Sequence, residues 1–144
     1  MRKVLLSALM VGVVTTGAMA GTASDDFTVT ATVDPYCEVT TPANDLTIPY
    51  NPFNTADATA TTSTEFNCVN GTSYTINVVY DGTLEGATDP TQTLSFTATP
   101  DITSGTDTDG LTSTNSVSIA IVIPAGQDVP VDSYSDSVTV EINY

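Results

Sequence analysis

Beyond position 3 the sequence contains no lysine, no arginine and no histidine. Its two basic side chains, Arg2 and Lys3, stand at the start, and all 17 acidic residues lie after position 20. A chain so charged repels nucleic acid and anionic lipid, which are bound through cations. It can form no side-chain salt bridge after position 3, so apolar burial, hydrogen bonds and covalent links must hold it together. The acidic surplus reads first as a solvated surface. A salt-rich habitat or bound divalent cations would also relieve the self-repulsion. Without histidine or lysine, a serine or cysteine nucleophile has no obvious base. A small domain with no tryptophan is also a poor candidate for cleaving sugars with paired carboxylates. The sequence therefore offers no catalytic residue, no metal-ligand set and no cofactor motif, and the reading is not an enzyme.

Long apolar runs are equally scarce. Residues 4–14 are mostly apolar, follow Arg2 and Lys3, and precede the small-residue run Ala18, Met19, Ala20. That order describes a secretory signal peptide. The run is too short for a hydrocarbon layer of ~30 Å, so membrane insertion is not expected. Cleavage after Ala20 would leave 144 − 20 = 124 residues, and a cut after Ala23 is also open. The remainder is one domain's worth of chain. Two cysteines remain, Cys37 and Cys68. In an exported chain two cysteines usually pair, and a loop of this length adds roughly 3–4 kcal/mol on the chain-entropy model. A metal pair would lack any histidine partner.

Helical periodicity is almost absent, and threonine, valine and serine dominate, punctuated by Gly, Pro, Asn and Asp. Strands are expected at residues 27–33, from Cys37 to a break at Pro42 with resumption at 46–50, at 61–69, 74–80, 92–98 and 117–123, and from about 134 to 144. Asn70-Gly71 and Asp81-Gly82 read as turns, and residues 100–115 read as a loop. Tyr74, Ile76, Val78 and Tyr80 share one face, Leu94 and Phe96 point inward, and Val138, Val140 and Ile142 share another face. The pattern describes an all-β, antiparallel β-sandwich. Without the opening strand six remain, where an immunoglobulin-like sandwich wants about seven.

The opening strand therefore has two possible homes. It can complete its own sheet, or it can fill the gap in another copy. Phe27, Val29, Ala31 and Val33 alternate with Thr28, Thr30 and Thr32. Only Asp34, Pro35 and Tyr36 join it to Cys37, a reach of ~10 Å at full extension. Pro35 stiffens the join. If the missing strand belongs antiparallel beside the C-terminal strand, so short a join makes turning back difficult. Exchange with another copy, by β-strand addition, is the reading it favours.

Several stretches resemble the spore coat protein U domain family, the pilin subunits of archaic chaperone–usher pili. They are Ile123-Pro124-Ala125-Gly126-Gln127, Val129-Pro130, and the run from Tyr134 to Tyr144, with Cys37-Glu38-Val39, Leu46-Thr47-Ile48-Pro49-Tyr50 and Cys68-Val69-Asn70-Gly71 before them. The chain departs from the family in lacking tryptophan, in having Val131-Asp132-Ser133 where a glycine commonly precedes the last strand's tyrosine, and in the acidic, Thr-rich stretch 100–115. The resemblance implies an incomplete immunoglobulin-like domain over residues 36–144, completed by a donor strand from a neighbouring subunit. A donor segment at 21–35 and the signal at 1–20 precede it. Phe27, Val29, Ala31 and Val33 would be the donor side chains. Val138, Val140 and Ile142 would border the acceptor groove, Cys37 and Cys68 would join the first two strands, and Tyr144 would anchor a chaperone. The implied partners are copies of the chain in a fibre, a periplasmic chaperone and an outer-membrane usher. The implied place is a cell-surface pilus reached through the periplasm, serving adhesion and biofilm. A single domain with a donor candidate fits a shaft subunit better than a tip. The alternative is a self-complete, secreted calcium-binding adhesion module, suggested by Asp107-Thr108-Asp109-Gly110. Its spacing departs from an EF-hand loop, which places glycine sixth and glutamate twelfth, so an acidic turn is the simpler reading.

Overall fold

A computed structural model describes residues 21–144; the expected signal peptide lies outside the described residues. Val33–Tyr144 forms one compact unit, and the described residues before it, 21–32, fall outside that unit. Residues 21–32 carry no strand, and Phe27 and Val29 are exposed.

The compact unit is built from ten strands: β1 (Cys37–Thr41), β2 (Ala58–Cys68), β3 (Ser73–Val79), β4 (Thr83–Gly86), β5 (Thr93–Ser95), β6 (Thr97–Pro100), β7 (Ser104–Thr106), β8 (Asn115–Ile123), β9 (Tyr134–Ser135) and β10 (Thr139–Asn143). All pairings are antiparallel, in sheets ordered β1-β2-β8-β6, β10-β3-β7 and β5-β4-β9. The inward residues of all three sheets meet in one core, including Phe66, Val117, Ile119 and Ile123, Tyr74 and Ile76, and Leu94. Period-2 alternation produces it: in β8 every second residue, Val117, Ile119, Ile121 and Ile123, is buried. The ring of Phe66 meets that of Tyr74 edge-on at 5.0 Å between centroids, linking the first sheet to the second. Tyr74 in turn lies over Gly105 of β7, where a Cβ would come within 2.5 Å of its hydroxyl. The fold is an antiparallel all-β sandwich.

Five strand expectations need correction. Residues 27–33 form no strand within the chain, having no partner strand there. Residues 46–50 form no strand, because Pro42 and Pro49 have no N–H to offer a ladder. The segment follows the edge of β2 irregularly instead, tied by Asn44 N donating to Thr62 Oγ1 (3.0 Å) and Thr62 Oγ1 donating to Asn44 O (3.1 Å). The expected strand 92–98 is two strands in different sheets. Its break is at Phe96, whose N–H donates to Gly82 O (3.0 Å) while its ring stays buried. Residues 100–115 are not all loop: Ser104–Thr106 pairs with β3, and a single 3-10 turn spans Gly110–Thr112. The last strand is interrupted between Ser135 and Thr139, giving β9 and β10 to different sheets.

The cysteines pair as expected. Cys37 and Cys68 face each other across β1 and β2 and form a disulfide with their Cα atoms 4.0 Å apart. Asn70-Gly71 is a turn, with Gly71 at φ 87°, where a side chain would be strained. No helix among the described residues is long and apolar enough to cross a membrane.

Candidate functional site: an open cleft between two sheet edges

Strands β1 and β10 are each paired on one side only, β1 to β2 and β10 to β3. Beyond those edges, between the segment after β1 and the segment that leads into β10, runs a cleft of about 1140 Å³, continued by a smaller one of about 340 Å³ that Val39 of β1 lines together with Pro42, Val138 and Val140. Its floor is the core itself: Ile119, Ile121 and Ile123 of β8 with Leu94 and Phe96. One wall is the irregular segment after β1, including Leu46, Ile48 and Tyr50. The other carries Val129, Tyr134, Val138 and Val140. The start of β1 lies beside the end of β10, since the rings of Tyr36 and Tyr144 meet edge-on with centroids 5.8 Å apart. Further along, Val39 and Pro42 share the smaller cleft with Val138 and Val140. The two edges thus run antiparallel to each other across the gap, with unpaired backbone donors and acceptors on both sides.

Hydrogen bonds fix the far end of the cleft. The Tyr50 hydroxyl accepts from Gln127 N–H (2.7 Å) and lies 3.2 Å from Pro124 O. The Gln127 amide grips β5 at both backbone groups: its Oε1 accepts from Ser95 N–H (2.7 Å), and its Nε2 donates to Ser95 O (3.0 Å). Asp57 Oδ1 accepts from Ala125 N–H at 2.9 Å. The Tyr134 hydroxyl donates to Pro130 O (2.9 Å), four residues upstream, the bond made by the tyrosine corner of immunoglobulin-like domains. The run Ile123 to Gln127 and Tyr134 is therefore scaffold for the cleft rim. Nothing in the sequence pattern marks that role. Alternation turns Leu94 and Phe96 inward, but neither they nor the β8 face carry a sequence mark of a cleft floor.

The residues singled out in sequence fall as follows. Val138 and Val140 line the cleft; Ile142 is half-buried, opposite Ile76 of β3, and is not on the lining. Tyr144 is half-exposed against Tyr36. Phe27, Val29 and Val33 are 85%, 81% and 76% exposed, and Ala31 is exposed with them.

Asp107 is not free for a cation. Its carboxylate is buried and accepts from Gly110 N–H (2.6 Å), Asp109 N–H (2.9 Å), Asn115 Nδ2 (2.7 Å) and Cys68 N–H (3.4 Å). Burial pushes its pKa up, but the donors from Gly110, Asn115, Asp109 and Cys68 outweigh it and hold the carboxyl below its usual range. Two exposed aspartates are lowered as well. In Asp89 the leading cause is the Thr91 hydroxyl, and in Asp132 it is the Thr88 N–H.

The family described as Spore Coat Protein U domain matches residues 23–141. No curated protein matches the chain. A solved chain from work described as "Chaperone-tip adhesin complex is vital for synergistic activation of CFA/I fimbriae biogenesis" is similar at 12% identity with a TM-score of 0.40. The match covers 69% of this chain and 38% of that one, so this chain spans well under two thirds of its length.

Proposed function

The chain belongs to the Spore Coat Protein U domain family, and from that premise we propose that it is a structural shaft subunit of an extracellular pilus, polymerising by donor-strand exchange. The observation that carries this reading is the cleft: two antiparallel sheet edges left open over the apolar floor of Ile119, Ile121 and Ile123. The same chain carries a spare alternating segment, residues 27–33, whose large side chains are exposed. A strand inserted antiparallel to β10 would pair with both free edges and set alternate side chains on the floor. Phe27, Val29, Ala31 and Val33 of one copy supply that strand, and Val138 and Val140 of the next flank it. Before assembly, a periplasmic chaperone covers the cleft, with Tyr144 beside its anchoring point. An outer-membrane usher is where the chaperone's strand gives way to the donor.

Composition supports exchange between copies over any ionic assembly. Beyond position 3 no cation exists to bridge neighbours with 17 acidic residues each. Burial of the three large donor side chains, at about 1.5–3 kcal/mol each, works together with the edge hydrogen bonds. Both act against the ordering entropy of the segment.

Val29→Asp and Ala31→Asp each put a charge over the apolar floor while leaving the compact unit unchanged. Heat-labile multimer ladders in detergent gels and fibres on cells should both vanish, while the subunit is still recovered with its chaperone. Normal fibres from either variant would overturn the donor assignment.

A further inference from the structure

Two clusters of exposed apolar side chains sit at opposite ends of the long strand β2. Its eleven residues, Ala58 to Cys68, separate these ends by roughly 33 Å at 3.3 Å per residue. At the Ala58 end, Phe53 is 94% exposed and Val131 fully so, and both line the mouth of the cleft. Phe53 is no stray side chain on a loose loop. The turn that bears it is closed by Asn54 N–H donating to Asn51 O (3.0 Å) and by Phe53 N–H donating to Asn51 Oδ1 (3.0 Å). At the Cys68 end, Leu111 is 78% exposed, with Tyr36 and Tyr144 about half exposed. Leu111 projects from the 3-10 turn that Asp107 ties to Cys68 N–H and Gly110 N–H.

The polarity of strand exchange brings these two ends together. A donor antiparallel to β10 enters beside Tyr144 and runs toward the Phe53 end, where its Val33 emerges. Only Asp34, Pro35 and Tyr36 then separate Val33 from the donor's own Cys37, a span of ~10 Å. The domain that owns the donor must therefore present its Tyr36 and Leu111 end to the Phe53 and Val131 end of the acceptor. Two like-charged copies without cations cannot meet there through ion pairs, so apolar contact is what remains.

We propose that Phe53 and Val131 of one copy pack against the Leu111 and Tyr36 end of the next, a second, head-to-tail contact between copies of this chain that fixes the angle between them. It rests on the donor-strand reading and adds a role that the donor strand, on a short but single tether, cannot fill. Because the two surfaces differ, the contact is heterologous and propagates along a fibre without closing.

The test uses fibres of the full chain in three forms: Phe53→Ser with Val131→Ser, Leu111→Ser, and all three changes together. Two quantities are read, the heat-labile multimer ladder and the bending stiffness of fibres in electron micrographs. Leu111 lies off the cleft lining, so the ladder should persist in the Leu111→Ser form, which also shows that this variant folds and exchanges; Phe53 and Val131 stand at the cleft mouth, so the stiffness of their variants is read only on the fibres that form. The persistence length should fall at least twofold in each single-end variant, and the triple change should be no softer than the softer of the two. Unchanged stiffness with intact ladders would overturn the contact and leave donor exchange standing. Losses that multiply in the triple variant would show two independent surfaces and overturn it as well. Absence of the ladder in unaltered fibres would overturn donor exchange itself, and this contact with it.

Discussion

Strand β8 and the run from Val138 into β10 are written in nearly the same alphabet, Val-Ser-Ile-Ala-Ile-Val-Ile against Val-Thr-Val-Glu-Ile, yet they end in different states. β8 has a neighbour on each side, and its inward residues are at most 8% exposed. β10 has one neighbour, and Val140 and Ile142 stay half-buried while Val138 is 36% exposed. Alternation gives each strand an apolar face; only topology decides whether that face is covered. The lesson is that the open side of β10 is a property of strand order, not of a weaker sequence.

The sharpest way to break this contrast is to remove equal bulk from each strand. Ile119→Ala in β8 should destabilise the full chain by about 2–5 kcal/mol in denaturant unfolding, because its side chain, although it forms part of the cleft floor, is almost fully buried. A comparable loss from Ile142→Ala, which is only half-buried, would erase the distinction. Next in size is Asp107→Asn, which swaps an acceptor for a donor facing the N–H groups of Asp109, Gly110 and Cys68 and the side-chain amide of Asn115. A loss of about 1–3 kcal/mol is expected, read from the same unfolding curves. A neutral result would mean that the β8 side owes nothing to that buried carboxylate.

Acid should act on the same point. The folded-state pKa of Asp107 lies below its unfolded value, so its stabilisation is complete above the unfolded pKa of about 3.9 and is lost as pH falls through the lower folded value. Asp89 and Asp132, lowered by their threonine neighbours, follow the same sign. The melting temperature should therefore drop as pH falls below about 4, and Asp107→Asn should flatten that drop. The smallest effect is expected at the cleft: Val140→Ala should cost the free chain less than about 1 kcal/mol. Under the donor-strand proposal the same change should lower the temperature at which multimer ladders collapse, since only a filled cleft would bury that side chain fully. An equal effect on both would mean that the edge is already covered in the free chain.

Much of this contrast could be read before any coordinates. The alternation of Tyr74, Ile76, Val78 and Tyr80 announced β3, Asn70-Gly71 announced the turn before it, and the two cysteines announced their bond. Other parts were hidden for identifiable reasons. Leu46 to Tyr50 looks like a strand by side-chain pattern, but Pro49 removes a backbone donor that the pattern does not record. Phe96 keeps its inward place while the backbone changes sheet around it, so alternation carries no trace of the break. Ser104, Gly105 and Thr106 have no apolar signal at all, since that strand is specified by Tyr74 lying across it. The cleft walls come from three separated segments, and spatial convergence of Ile48, Val129 and Val140 has no local signature. Asp107 looked like a turn residue, and its four donors come from positions as far away as Cys68.

The close contact of Tyr74 with Gly105 has a consequence for how this chain can vary. Position 105 sits between Ser104 and Thr106, both exposed on a short outer strand, where nearly any polar residue would do. Yet a single methyl at 105 would evict an aromatic ring that supports Phe66. A library randomised across these three codons should return almost free choice at the flanks and one permitted letter in the middle.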